Sequence, residues 1–148
     1  MIMKVLLIYI LTIACVPGMS QKTRKFSLGD QHYFLDVSKG FICYKIIDDE
    51  HYIEYRLAYN DSSIIYITND DKSGGAINIF KEKKYGKDVS LKILLNETLD
   101  LNGEYMGRYW REKKESNVVV GYINVLPQDI EKFNIILSTL RMTRRVRR

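Results

Sequence analysis

At 148 residues, with 46% apolar content and a formal charge of +5, the chain has room for one domain with a proper core. It is too evenly mixed for a disordered polymer or a multi-span membrane protein. The charge excess is local: Arg141 to Arg148 hold five arginines, and removing these and Lys4 from the 23 basic residues leaves 17 against 18 acidic ones. The body therefore offers no basic face for nucleic acid, and no nucleic-acid partner is expected.

Residues 1–20 have Lys4 as their only charge and an apolar run from Val5 to Val16. That run falls short of the ~20 residues a spanning helix needs, and suits the central region of a secretory signal. Gly18 and Ser20 place small residues before a cut that leaves Gln21 first. The sequence predicts a cleaved signal over 1–20 and export, to a bacterial periplasm. An alternative exit is Leu11-Thr12-Ile13-Ala14-Cys15, which resembles a bacterial lipoprotein box, with Thr12 where the pattern has Leu. It implies lipidation of Cys15 and an inner- or outer-membrane lipoprotein. A cut at Gln21 leaves Cys43 alone, so no internal disulfide is expected. Inside an apolar strand, Cys43 reads as a core residue, with a reactive thiol or a second-chain disulfide as the alternative.

Gln21 to Lys25 reads as a flexible polar lead-in, and His32 to Val37 as a short strand ended by Ser38-Lys39-Gly40. Phe41 to Ile47 alternates, with Ile42, Tyr44 and Ile46 on one side and Lys45 on the other. Across an Asp48-Asp49-Glu50 turn, His51 to Tyr59 alternates again, which predicts a hairpin. Ser63 to Thr68 and Ala76 to Phe80 read as strands around an Asn69–Gly75 loop, and Lys81 to Lys87 as a charged connector. Residues 88–98 fit a strand or a short helix. Leu99 to Gly103 reads as a turn, Glu104 to Arg111 as a strand, and Lys113 to Asn117 as a turn. Val118 to Val125 is β-branched and reads as a buried strand stopped by Leu126-Pro127. Ile130, Phe133, Ile136, Leu137 and Leu140 then recur at helical spacing. The expected fold is α+β, an antiparallel sheet of about six to eight strands with a C-terminal helix packed on one face. One domain is expected over 21–141, followed by an arginine-rich tail over 142–148.

The Asn102-Gly103 turn, the Tyr109-Trp110 strand, the Val120-Gly121-Tyr122 strand and the Phe133, Ile136, Leu137 helix resemble the close of PsbP-like proteins. That fold occurs in small bacterial envelope lipoproteins and in chaperones for secreted toxins. The resemblance covers about 103–141 and implies an antiparallel sheet with helical cover. It carries over no catalytic residues, and the family's mid-chain helix has only 88–98 to match it.

Chemistry-bearing clusters are sparse. There is no Gly-x-Ser-x-Gly elbow, and a Cys43–His51 pair lacks a third group to orient it. Asp48, Asp49, Glu50 and His51 stand in a row, where adjacent side chains diverge. Asn69 to Gly74 starts like a calcium loop, but Phe80 replaces the twelfth-position acid and Lys72 adds a positive charge, so a solvated loop is expected. No catalytic residue, metal or cofactor is expected. Arg141, Arg144, Arg145, Arg147 and Arg148 read as a solvated extension of the last helix that complements its C-terminus. They also suit weak association with an anionic envelope surface.

The most binding-prone stretch is Tyr105 to Arg111. Strand alternation would put Tyr105, Gly107, Tyr109 and Arg111 on one face and Met106, Arg108 and Trp110 on the other. Tyr, Trp and Arg dominate interface hot spots, so Tyr105, Arg108, Tyr109, Trp110 and Arg111 are the expected protein-interface residues. The expected function is an exported non-enzymatic protein-binding domain, most concretely an immunity-type inhibitor of a delivered toxin. The alternative is a lipid-anchored or surface-associated envelope protein of structural or accessory role.

Overall fold

The computed structural model describes residues 20–47, 53–69 and 98–144. These form nine antiparallel strands: β1 Gln21–Leu28, β2 Gln31–Ser38, β3 Phe41–Ile47, β4 Ile53–Tyr59, β5 Ile64–Thr68, β6 Thr98–Tyr105, β7 Arg108–Glu115, β8 Val118–Val125 and β9 Arg141–Arg144. A 3-10 turn over Pro127–Asp129 leads into the helix α1, Ile130–Ser138. The strands make two sheets, one ordered β1-β2-β9 and the other β3-β4-β5-β8-β7-β6. The antiparallel architecture with a C-terminal helix is as expected, while the single sheet of six to eight strands is replaced by sheets of six and three.

The hairpins follow from local backbone chemistry. Gly29, with φ of 61°, closes the two-residue turn between β1 and β2, a loop that needs positive φ to match strand twist. The β6–β7 turn is Met106-Gly107, both left-handed at 49° and 72°. Two expectations fail here. Leu99 to Gly103 is strand rather than turn, and the expected strand from Glu104 to Arg111 is cut by the reversal at Met106-Gly107. The expected turn at Lys113 shrinks to Ser116-Asn117. Gln21 to Lys25 is not a loose lead-in but the paired first half of β1, facing Phe34 to Ser38 of β2.

The main core lies between the sheets. Alternation turns Phe26 and Leu28 of β1 and Tyr33, Leu35 and Val37 of β2 inward, toward Leu57, Ile65, Ile67, Val118, Val120 and Tyr122 of the larger sheet. Phe133, Ile136 and Leu137 of α1 complete it. The Phe133 ring stands edge-on to Tyr59 at 5.5 Å and to Tyr122 at 5.6 Å. Val118 to Ile123 are buried without interruption, because a central strand covered on both faces has no solvent side to leave polar. Asn124, at φ 58°, makes a bulge in β8: the pairing steps from Arg111–Tyr122 to Tyr109–Val125. The extra residue returns Val125 to the core face.

The helix is shorter than its apolar spacing implied. Leu140 lies beyond it, after Thr139 has capped the last turn. Thr139 Oγ1 donates to the Ile136 carbonyl at 2.7 Å and accepts the Asp36 amide at 2.9 Å, which ties the helix end to β2. The chain then turns into β9 instead of extending the helix. Arg141 lays its guanidinium fork across both Asp36 carboxylate oxygens at 2.9 and 3.0 Å. Its charge is therefore answered by a carboxylate rather than by the helix C-terminus. Arg144 also lies in β9, while Arg145, Arg147 and Arg148 fall outside the described residues.

Candidate functional site

The residues singled out from sequence do not share one exposed face. Trp110 is 8% exposed and packs with Tyr66, Val119 and Ile123 in a second core on the far face of the larger sheet. Its indole lies against Gly103 of β6, where an added Cβ would stand 2.7 Å from the ring. Tyr109 packs on the main core, on the opposite face from Trp110. The Glu104 carboxylate beside Tyr109 pushes its phenol above the ordinary range. Arg108 donates to the carbonyls of Asn124 at 3.1 Å and Asp61 at 3.4 Å, pinning the bulge. Tyr105 is half-buried at the end of β6.

Arg111 is a structural clamp. It grips Asp100 through Nε at 2.8 Å and Nη2 at 2.7 Å, and reaches Asn134 of α1 through Nη1 at 2.8 Å. Tyr122 donates to the same Asn134 oxygen at 3.1 Å. The guanidinium holds the Asp100 carboxyl below the usual carboxylate range, as Arg141, with Thr23, does for Asp36. A depressed folded pKa contributes stability that is present above the unfolded value of about 3.9 and lost as pH falls through the folded value. The melting temperature is therefore expected to hold from pH 7 to 5 and to drop below about pH 4. Asp100→Asn should flatten that acid slope in melts followed by circular dichroism.

The far face of the larger sheet carries a polar layer. Glu54, Tyr66, Thr68, Glu112 and Lys114 are all buried there, with Arg56 half-buried beside them. Glu54 pairs with Arg56, two residues on along the same strand. The cross-strand row runs Arg56, Tyr66, Gly121, Glu112. Because Gly121 has no side chain, the Tyr66 ring crosses β8 above it and donates its hydroxyl to Glu112. Each acid is followed two positions later, on the same face, by a base. A buried layer with balanced charge suits a fixed, specifying network.

Other expected sites resolve as follows. Cys15, Asp48 to His51 and Asp70 to Gly74 lie outside the described residues. Asn69 Oδ1 accepts the Ile53 amide at 2.8 Å, which closes the β4–β5 ladder. His32 is on the outer face of the small sheet, 3.2 Å from the Ser27 hydroxyl. Among the described residues no group of three or more His, Cys, Asp or Glu is placed to hold a metal ion. At one end of the sandwich a cavity of about 390 Å³ is lined by Leu28, Asp30, Gln31, Tyr33, Asn69 and Asn117.

The surface that sequence reasoning missed is β3. Among the described residues it is an edge of the larger sheet, paired only with β4. Ile42 is 60% exposed, Tyr44 51% and Ile47 59%. Cys43 is exposed too, correcting its expected place in the core, and burial of the thiol nonetheless raises its pKa, with Arg24 acting in the opposite direction. Lys45 is the strand's one charge, its Nζ 5.5 Å from the Tyr55 ring centre. The alternation that put Ile42, Tyr44 and Ile46 on one side is correct, but a period-two pattern does not say whether a face is covered. Natural edge strands are usually blunted by charge, proline or bulges; within its own sequence β3 has one lysine, no proline and an unbroken register with β4.

No protein-family model matches this sequence, and no curated protein or solved structure shows significant similarity to it.

Proposed function

We propose that this is an exported, non-enzymatic protein-binding domain that recognises an extended segment of another protein along β3. The observation that carries this reading is the apolar, solvent-exposed edge strand. Among the described residues one backbone edge of β3 has no neighbour in the sheet order, and strand addition satisfies such groups while side-chain positions set specificity. Ile42 and Tyr44 lie on one face and Ile47 on the other, so an added strand would find apolar contacts on both sides. Export is supported by the apolar run of Val5 to Val16 and the small residues Gly18 and Ser20. The partner's contacting stretch is then extended and apolar, with an acid or aromatic group suited to Lys45.

The test places a photo-crosslinking residue at Tyr44 and, as a control, at Lys25 on the outer face of the small sheet. Adducts from envelope extracts are expected at Tyr44 only. Ile42→Lys with Tyr44→Lys should weaken binding of the recovered partner about thirtyfold or more, the scale of hot-spot loss. Those exposed positions should leave stability within about 0.5 kcal/mol of wild type. Equal recovery by the double variant, or no adduct from Tyr44, would overturn the reading.

A further inference from the structure

We propose that the cavity at the end of the sandwich is a binding site for a neutral saccharide unit. Its volume of about 390 Å³ falls in the ~300–1,000 Å³ range of small-molecule sites. Both sheets wall it, and they do so with fixed turns. Two hairpins close with a left-handed first turn residue, Gly29 at φ 61° between β1 and β2 and Ser116 at φ 54° between β7 and β8. The second turn residues, Asp30 and Asn117, line the cavity, one from each sheet. Asn69 lines it from the end of β5, where its Oδ1 accepts the Ile53 amide and its place is set by the ladder.

The chemistry of the lining selects the ligand class. Asp30, Gln31, Asn69 and Asn117 all end in planar amide or carboxylate groups. Such groups span the two hydroxyls of a vicinal diol: an amide gives one hydrogen bond and takes one, and a carboxylate takes two. Leu28 and Tyr33, both buried, supply apolar ground for the C–H side of a pyranose. Tyr33 donates its hydroxyl to Gln31 Oε1, so the phenol oxygen is the acceptor of that pair and the Gln31 amide nitrogen its further donor. Burial raises the Tyr33 pKa, and the phenol keeps its proton at neutral pH.

The competing ligand classes fit less well. Among the described residues no lysine, arginine or histidine lines the cavity, and Asp30 is its one charge. An anion finds no partner there. A lone exposed carboxylate is a weak handle for a cation. An apolar ligand would strip polar side chains of water without replacing their hydrogen bonds, which is costly. A polyhydroxyl ring meets both the planar groups and the apolar ground.

The test titrates the full chain with methyl β-glucoside and with N-acetylglucosamine, following the amide resonances of Asp30, Asn69 and Asn117. Saturable shifts are expected from at least one of these sugars and not from glycerol, which lacks the ring. Glucuronate, the same ring with a carboxylate, should bind about fivefold more weakly than the neutral glucoside because of Asp30, and Asp30→Asn should narrow that gap. Gln31→Ala and Asn117→Ala, both outside the core, should melt close to wild type. Each should bind the sugar about fivefold more weakly, the scale of one lost hydrogen bond. Asn102→Ala, which removes an exposed amide of β6 away from the cavity, should not. Tighter binding of cellobiose than of methyl β-glucoside marks the end of a glycan chain as the source, and equal affinity marks a free sugar. Equal shifts from glycerol, no saturable shift from either sugar, or an equal loss from Asn102→Ala would overturn the proposal.

Discussion

Gly121→Ala is expected to cost the fold about 2–6 kcal/mol. A Cβ at this position overlaps the Tyr66 ring and hydroxyl on one side and the Arg111 carbonyl on the other. The carbonyl belongs to the β7–β8 ladder and cannot retreat without breaking it, so the ring must move. Overpacking alone costs about 1–3 kcal/mol. Displacing Tyr66 adds the loss of its buried hydrogen bond to Glu112, about 1–3 kcal/mol more. Tyr66→Phe isolates that second part, since it keeps the ring above Gly121 and removes only the donor. Urea denaturation of the two variants should rank Gly121→Ala well below Tyr66→Phe. A Gly121→Ala protein within 0.5 kcal/mol of wild type would mean that the ring does not lie across β8.

Phe133→Ala is expected to cost about 3–5 kcal/mol, a large share of the ~5–15 kcal/mol that holds a domain together. Phe133 is buried where the helix meets the larger sheet, and truncation removes its edge contacts with both Tyr59 and Tyr122. The cavity left between helix and sheet has backbone-fixed walls and collapses poorly. Ile135, 45% exposed on the other side of the same helix, provides the comparison. Ile135→Ala should move the denaturation midpoint little, within about 0.5 kcal/mol. Equal losses at both positions would mean that α1 presents a different face to the core.

The elements legible in the sequence are those whose pattern and burial agree. The run Val118 to Val125 is apolar on both faces because both are covered, and the spacing of Phe133, Ile136 and Leu137 marks the buried side of α1. The bounds of Phe41 to Ile47 are legible too, since Gly40 punctuates its start. The position of the β6–β7 hairpin is not legible, because Asn102-Gly103 is a strong turn signal. There the glycine serves packing, giving up its side chain to the Trp110 ring, and the chain reverses four residues later. The expected sharing of faces changes with it: moving the reversal to Met106-Gly107 sets Tyr105 opposite Arg108 and sends Trp110 to the interior. The charge-rich start of β1 carries no apolar alternation and is held by ladder bonds to β2, which leave no trace in side-chain pattern. The bulge at Asn124 and the fork of Arg141 on Asp36 are likewise tertiary events. The second joins positions 105 residues apart, beyond any local window.

That distance also bears on how the molecule assembles. β2 receives β1 through a two-residue loop, a local event, but its other side waits for β9, delivered only after the rest of the described chain and α1 have been placed. Closing so long a loop is entropically costly before its contacts repay it, and topologies rich in such pairings fold slowly. Until residues 141–144 dock, β2 presents an open flank, the interval in which mispairing between chains is most dangerous.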